Sequence, residues 1–532
     1  MTRKIFFNGL YYTFDPSYPR AEAVVIEDGR FLDMGRTEDM LLQWGRAGVR
    51  KIDLEQKTVT PGFTDSHLHL SMLTRKFTEL DLTGVASKAE VLRAVQEKTK
   101  ELAPGEWVVG NGWDENVFTD GGVPTKEELD RVAPNHPVFL RRVCHHAAVA
   151  NSQAFQASNI QQNVEVPEGG VVVTNEAGEP TGLLLDYAQD LIQEHIPEPS
   201  YETWKKVMRQ TIQFLLEKGM TSAHTNDPLY MGGLAQTYRL YDELLNGENL
   251  GLRCHLLIDY PFLDDLRQAG MYAGYGNETL QIGAVKMFAD GAFGQSTALL
   301  SEPYANEPGH YGEAMVDQET LYAMIRNVRE LAMPVAVHTI GDQALENVLD
   351  ILDQLPAAPK RDRLIHTQVL RPDLIKRLSQ PNRIADIQPR FVASDFPWVI
   401  EKLGEERIRY SYAWKTMIKA GILCAGGSDA PIEPVDPLLG IHAAVTRRKP
   451  GEVHDGWNPG EKLTMEEAFH LFTKMGAYAT NEEAIKGTIT RGKLADMTVF
   501  SQNPLDMEDP DELLGTQVEM TIIGGEVKYR RG

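Results

Sequence analysis

Between residues 220 and 426 the chain repeats one pattern, a short apolar run followed by a stretch with helical spacing. The runs are Met220–Thr225, Gly251–Ile258, Ile282–Phe288, Pro334–His338, Arg363–His366, Ile384–Gln388 and Ile422–Gly426. Between the fourth and fifth, Ala344, Leu345, Val348, Leu349 and Leu352 recur on one helical face. Ahead of the first, Trp204, Val207, Met208, Thr211, Ile212, Leu215 and Leu216 do the same, and Gly219 follows as a C-cap. An eighth strand is expected upstream, where β-branched Lys57-Thr58-Val59-Thr60 runs up to Pro61-Gly62-Phe63-Thr64-Asp65-Ser66-His67-Leu68-His69. Strands alternating with helices predict a parallel sheet, and eight such units predict a (β/α)8 TIM barrel. In that fold, residues at the C-terminal ends of the strands carry the chemistry.

The two chain ends have another texture. Lys4–Phe7, Ala23–Ile26 and Arg30–Met34 are short strands separated by Asn8-Gly9 and Asp28-Gly29 turns. Met497–Phe500, Val518–Ile523 and Glu526–Tyr529 match them at the other end. Neither set alone buries a core, so a small β-sandwich built from residues 1–58 and 485–532 is expected around a barrel spanning 59–484. Residues of about 75–200 break the barrel rhythm. They are rich in glycine (Gly105, Gly110, Gly112, Gly121, Gly122, Gly169, Gly170) and include the strand-like Val138–Arg142. They read as a long insertion after the first barrel strand, and many long connections of this kind are lids or binding loops.

Composition narrows the function. With 532 residues and 42% hydrophobic content, the chain is long enough for a barrel and a smaller domain. A formal net charge of −23 repels phosphate backbones and excludes nucleic acid as a partner. Cys144, Cys254 and Cys424 lie far apart and define no disulfide framework or zinc knuckle. No stretch approaches the roughly 20 apolar residues that span a bilayer, and the first residues lack a signal-peptide core. A soluble, cytoplasmic protein with no membrane partner is the expectation.

Six polar residues fall where barrel strands end. His67 and His69 are two apart, so on a strand both point one way and can aim their imidazoles at one transition metal. Lys286 interrupts the apolar Ala284–Phe288, His338 and His366 close their strands, and Asp429 follows Gly426-Gly427-Ser428. Taken singly, each has an ordinary structural explanation: a hydrogen-bonded histidine, a snorkelling lysine, a capping aspartate. Four histidines, a lysine and an aspartate on the same face of one barrel are harder to explain that way.

Pro61-Gly62-Phe63-x-Asp65-x-His67-x-His69, Lys286, His338, His366 and Gly427-Ser428-Asp429 together resemble the metal-dependent amidohydrolase superfamily. Gly487-Thr488-Ile489-x-x-Gly492-Lys493-x-Ala495-Asp496 is similar to the segment that leads those enzymes back into their β-sandwich. Asn111-Gly112-Trp113-Asp114, Cys144-His145-His146-Ala147 with Asn151, Lys286-x-Phe288-x-Asp290-Gly291 and His338-x-Ile340-Gly341-Asp342 resemble its family 3, which includes N-substituted formamide deformylase.

The resemblance implies two divalent metals per chain, zinc being the expected ion. His67 and His69 with Asp429 would hold one, His338 and His366 the other, and a carboxylated Lys286 would bridge them. It implies hydrolysis of a non-peptide C–N bond, in a linear amide, N-formyl or N-acyl compound, by a metal-activated hydroxide whose proton Asp429 relays to the departing amine. Two departures stand out: Ile365 occupies a position where many relatives carry glutamate, and Ser222-Ala223-His224-Thr225-Asn226 lacks a plain His-Asp ending. His145 is expected in the catalytic set through the subgroup pattern, and Trp113, His224, Phe293, Arg390 and Trp398 are expected to contact a small amide-type substrate. The pattern leaves room for a homodimer. The rival readings are a one-metal deaminase or cyclic-amide hydrolase of the same superfamily, and a non-catalytic binding or regulatory protein on the same fold.

Overall fold

The structure is a computed structural model that describes residues 3–143, 146–160, 165–167 and 169–532. Its chain forms two compact units, residues 1–72 with 211–532, and residues 73–210.

The larger unit is built on one eight-stranded parallel sheet: β1 (Phe63–Leu68), β2 (Met220–Asn226), β3 (Arg253–Asp259), β4 (Leu280–Phe288), β5 (Val335–Thr339), β6 (Asp362–His366), β7 (Arg383–Ile387) and β8 (Cys424–Gly426). The strands pair in chain order. Backbone bonds just beyond β8 bring the ends of the row together: the Asp429 amide donates to the His67 carbonyl and the His69 amide to the Ala430 carbonyl, both at 2.8 Å. The result is a nearly closed barrel. Its strands are apolar and buried because helices cover the outer face. The helix Asp342–Gln354, for instance, buries Ala344, Leu345, Val348, Leu349, Ile351 and Leu352, the stripe expected from spacing. Register sets strand ends level, with Asp259 opposite Lys286, Lys286 opposite Ala336, and His338 opposite Ile365.

One expectation needs correction. The run Lys57–Thr60 and the His-x-His stretch are not one strand. Thr58–Pro61 lies in a terminal sheet between Met497–Phe500 and Leu10–Tyr12, and a new strand, β1, begins at Phe63. Gly62 makes the passage. A Cβ there would lie 2.2 Å from Thr221 Cγ2, so only glycine lets the backbone pass so close to β2.

Both chain ends contribute to two further sheets. One orders Arg30–Gly35, Ala23–Glu27, Arg3–Phe7 and Arg50–Asp53; the other orders Glu526–Arg530, Val518–Ile523, Met497–Phe500, Thr58–Pro61, Leu10–Tyr12 and Arg20–Ala21. Phe6, Val24, Ile26 and Phe31 from the first share one apolar core with Tyr11, Val59, Val499 and Ile522 from the second. A buried bidentate pair, Arg253 Nε and Nη2 on the Asp496 carboxylate at 2.6 and 2.9 Å, fastens β3 to the C-terminal segment.

Residues 73–210 fold around their own mixed sheet, in the order Val171–Thr174, Pro180–Leu185, Ala147–Ala150, Val138–Arg142, Val108–Trp113, Leu80–Asp81. Leu82, Val91, Val95, Val108, Leu129, Val138 and Leu140 form one of its cores. Among the described residues, no helix is long and apolar enough to cross a membrane.

Candidate metal centre

The site is built at the end of β1, where every residue of the strand is buried. The Asp65 carboxylate accepts the backbone N–H of His67 at 3.0 Å and of Ser428 at 3.0 Å, tying the first strand to the loop after the eighth. Burial raises the Asp65 pKa to about 7, against the opposing pull of those bonds. Asp429 follows in a left-handed conformation, φ 57°, which a non-glycine residue adopts only where surrounding contacts impose it. Its Oδ1 lies 3.4 Å from His67 Nε2 and 3.2 Å from His69 Nε2. Among the described residues, His67, His69 and Asp429 are the one set of His, Cys, Asp or Glu side chains whose ligand atoms all lie within 4.8 Å of one another.

Protonation in this set is polarised. Burial alone would raise the Asp429 pKa, but the His69 hydrogen bond and nearby His366 and Lys286 bring it below the ordinary carboxylate value. Burial would likewise lower His69, and Asp429 outweighs it, so that imidazole is raised. His67 moves well below its ordinary value through burial first and Lys286 second. Its Nδ1 is buried with no hydrogen-bond partner. His69 Nδ1 lies 3.3 Å from the Asn226 carbonyl oxygen, which can only accept, so the proton sits there and Nε2 is left facing Asp429.

Lys286, on β4, stands over the set. Its Nζ is 3.5 Å from His67 Nε2 and 4.7 Å from the centre of the Phe288 ring. Burial lowers its pKa to about 8, against the pull of Asp429. His366 continues the line, its ring 5.8 Å from His67 and 4.5 Å from His338 between centroids. Its φ of 74° is left-handed. Gln388 Oε1 accepts from His366 Nδ1 at 2.8 Å, leaving Nε2 free. His338 is oriented the other way: Nε2 donates to the Gly291 carbonyl at 3.0 Å, leaving Nδ1 free. Asp290, just before Gly291, accepts the backbone N–H of Leu299, Ile340 and Gly341 at 2.8–3.0 Å and so pins the loop after His338. The six strand-end residues therefore meet in one buried place. Imidazole and carboxylate donors at that spacing, with free ring nitrogens and a buried, unpartnered Asp429 Oδ1 among them, fit a divalent transition metal.

The other named residues have contacts of their own. His224, on β2, is fully buried with neither ring nitrogen hydrogen-bonded. Its ring is 5.2 Å from His255, which pairs with Glu482 at 2.7 Å. Trp113 belongs to the core of the second unit, where its indole N–H donates to the Leu140 carbonyl at 2.9 Å; that corrects its expected substrate contact to packing. Phe293 is buried in the segment after β4. Trp398 opens the helix Trp398–Ile408 and donates to the Ser394 carbonyl at 3.1 Å. Arg390, two residues beyond Gln388, donates from Nε to Glu433 at 3.1 Å. Asn151 caps the helix Ser152–Ala157 and accepts the Val138 N–H, a framework role. His145 and Cys144 lie outside the described residues. Sequence reasoning missed Asp65, Asn226 and Gln388 as orienting groups. Asp65 lies inside the quoted motif and Gln388 closes an expected strand, but only the paired strands show what they hold.

An eight-stranded parallel ring with imidazole and carboxylate donors converging at its C-terminal edge defines a metal-dependent hydrolase. The amidohydrolase family model matches residues 50–529, and the chain belongs to that family. YtcJ of Bacillus subtilis (strain 168), which carries a provisional amidohydrolase name, is 42% identical over 99% of this chain and 100% of its own. The N-substituted formamide deformylase of Arthrobacter pascens is 26% identical over 98% of this chain and 97% of its own. A crystal structure of an uncharacterized metal-dependent hydrolase from Pyrococcus furiosus superposes with a TM-score of 0.78 at 30% identity, covering 95% of this chain and 100% of that one.

Proposed function

We infer that this hydrolase cleaves the C–N bond of a linear amide, an N-formyl or N-acyl compound, at a centre holding two divalent metals. The observation that carries the reading is the convergence of His67, His69 and Asp429 with Lys286, His338 and His366 in one buried place. Metals held there would lower the pKa of a bound water from ~15.7 toward 7 and polarise a carbonyl oxygen. The chain's own residues do the rest. Asp429, kept ionised, takes a proton at its carboxylate and returns it to the departing nitrogen, which leaves as the amine. Gln388 holds the proton of His366 on Nδ1 and Gly291 that of His338 on Nε2, so each of these rings presents one unprotonated nitrogen, while His69, held by Asn226 at Nδ1, would present Nε2 once it gives up the proton it shares with Asp429.

Lys286 is the bridging group in this reading. A pKa brought to about 8 by burial leaves an appreciable neutral fraction at neutral pH. The neutral amine adds to carbon dioxide and releases one proton, giving an anionic carbamate with two oxygens. The paired terminal sheets are read as a β-sandwich and residues 73–210 as an insertion after β1.

The compact His67–His69–Asp429 set would by itself suffice for a one-metal deaminase, so stoichiometry decides between the two. Elemental analysis of protein purified without chelator should give about two metals per chain, alongside hydrolysis of members of an N-formyl and N-acyl amine panel. Lys286→Ala should lose metal and activity, with partial recovery in formate or acetate. Full activity with a single metal equivalent, or a Lys286→Ala variant with two metals and normal turnover, would overturn the reading.

A further inference from the structure

The helix Leu70–Thr78 begins on the residue after His69. The first amides of a helix have no partner within it, and a Ser, Thr, Asp or Asn just before the helix ordinarily accepts from them. His69 occupies that position and cannot serve, because its Nε2 faces Asp429 and its Nδ1 faces the Asn226 carbonyl. The acceptors come from other strands instead. The Ala430 carbonyl takes the His69 amide at 2.8 Å, the Thr225 hydroxyl takes that of Leu70 at 2.9 Å, and the Asp227 carboxylate takes that of Ser71 at 2.7 Å.

Thr225 and Asp227 flank Asn226 at the end of β2, so three consecutive residues serve His69. Asn226 meets its ring, and the other two fix the backbone that follows it. The ring contact is long, at 3.3 Å, so the aim of the imidazole depends chiefly on where that backbone is held. The two fixing groups are themselves joined. Thr225 Oγ1 donates to Asp227 Oδ2 at 2.7 Å, and the same oxygen accepts the Tyr241 hydroxyl at 2.6 Å, from the helix Leu234–Asp242. Burial first, and Asp227 second, raise the Tyr241 pKa well above its ordinary value, so the hydroxyl remains a donor. Ser71, Thr225, Asp227 and Tyr241 are all fully buried, where a lost partner leaves an unsatisfied polar group. A carboxylate at a helix N-terminus is also favoured by the helix dipole.

We propose that Asp227 is a positioning residue for the metal centre: with Thr225 it caps the helix that His69 cannot cap, and Tyr241 holds the carboxylate to that task. The aim of the His69 ring is thereby set from the end of β2 and from the helix behind it. This rests on the reading of the centre as one that holds metal.

The test challenges the metal-loaded enzyme with a chromophoric chelator, in wild type, Asp227→Leu and Tyr241→Phe. Tyr412→Phe is the matched control, since Tyr412 is a buried tyrosine that also donates to an aspartate, Asp395, at 2.6 Å. Asp227→Leu should weaken the hold on one metal by roughly 10- to 100-fold, the scale of losing an orienting partner. Tyr241→Phe should weaken it by about 3- to 10-fold, the range one hydrogen bond gives. Both should change the visible spectrum of the cobalt-loaded enzyme. Asp227→Asn, which keeps an oxygen for the Ser71 amide, should restore most of the affinity. Tyr412→Phe should lower the melting temperature as Tyr241→Phe does, with affinity and spectrum unchanged. Wild-type affinity in Asp227→Leu or Tyr241→Phe, or an equal loss in Tyr412→Phe, overturns the proposal; if Asp227→Leu does not fold, Tyr241→Phe decides alone. If the wild type holds no metal, the metal reading fails, and hydrogen exchange decides the positioning by itself. The Leu70 and Ser71 amides should then exchange about 3- to 10-fold faster in Tyr241→Phe than in Tyr412→Phe, and equal rates overturn it.

Discussion

Gln388 offers the sharpest perturbation of the centre, because it touches one proposed ligand and no proposed metal position. Its Oε1 accepts from His366 Nδ1 at 2.8 Å, and its own amide N–H donates to the Asp386 carbonyl at 3.1 Å. Both groups are buried. Gln388→Met keeps length and volume but removes the acceptor. The His366 Nδ1–H is then left unpaired in a dry site, at a cost of about 1–3 kcal/mol, unless the ring rotates or changes tautomer. Either escape takes Nε2 away from the centre. Losing such an orienting partner lowers metal affinity by about 10- to 100-fold, equivalent to about 1.4–2.7 kcal/mol. Gln388→Glu places a charged acceptor in the same spot and should raise affinity instead. The assay is competition between metal-stripped protein and a chromophoric chelator at pH 7.5, with the melting temperature of the metal-free protein as a control for packing. A Gln388→Met variant that binds metal with wild-type affinity would refute the argument that this hydrogen bond aims His366.

Three further outcomes are expected. Asp429→Asn retains size and one oxygen but no basicity, so turnover should drop ~10²-fold or more at full metal content; near-normal kcat would leave Asp429 with only a loop-forming role. Arg363→Met strands the buried Asp386 carboxylate and should cost about 3–5 kcal/mol in denaturant unfolding, much of it recovered in the Arg363→Met/Asp386→Leu double variant. Additive losses in that cycle would contradict the pairing. Asp395, which accepts the Tyr412 hydroxyl at 2.6 Å, has its pKa raised by burial from 3.8 to about 7. The folded state thus holds a proton that the unfolded state has lost between those two values, and stability falls as pH rises through that window. Asp395→Asn removes the effect, so from pH 5 to pH 8 it should gain about 2–3 kcal/mol relative to wild type, read from urea midpoints; a constant difference across that range would count against it.

The barrel was legible because a parallel strand buried on both sides is a continuous apolar run. Val335-Ala-Val-His-Thr and Arg363-Leu-Ile-His show themselves without any partner strand. The polar residues closing those runs stood out for the same reason, and the structure brings His67, His69, Lys286, His338, His366 and Asp429 together. What could not be read depends on neighbours distant in sequence. Thr58–Pro61 and Phe63–Leu68 look like one strand until their partners, Met497–Phe500 and Met220–Asn226, are known. The roles of Asp65 and Gln388 follow from cross-strand register, which residue types alone do not encode. Trp113 reads as a substrate contact because its segment is expected to border the barrel mouth; the strand Val108–Trp113 carries it into a core.

The closure of the barrel has a consequence for how the protein matures. Asp65 and Ser428, whose contact joins the first strand to the loop after the last, are separated by 363 residues. His69 and Asp429 face each other across that same seam. A nascent chain carries the His-x-His pair from early in its synthesis, but the aspartate that completes the set emerges hundreds of residues later. Contacts so far apart in sequence form slowly, because the intervening loop must first be closed at an entropic cost. On the proposed function, an ion held by His67, His69 and Asp429 would be bound tightly only once the ring is shut, and would then act as a clasp across the seam, resisting its reopening. Metal uptake during refolding is thus a direct clock for the last step of assembly.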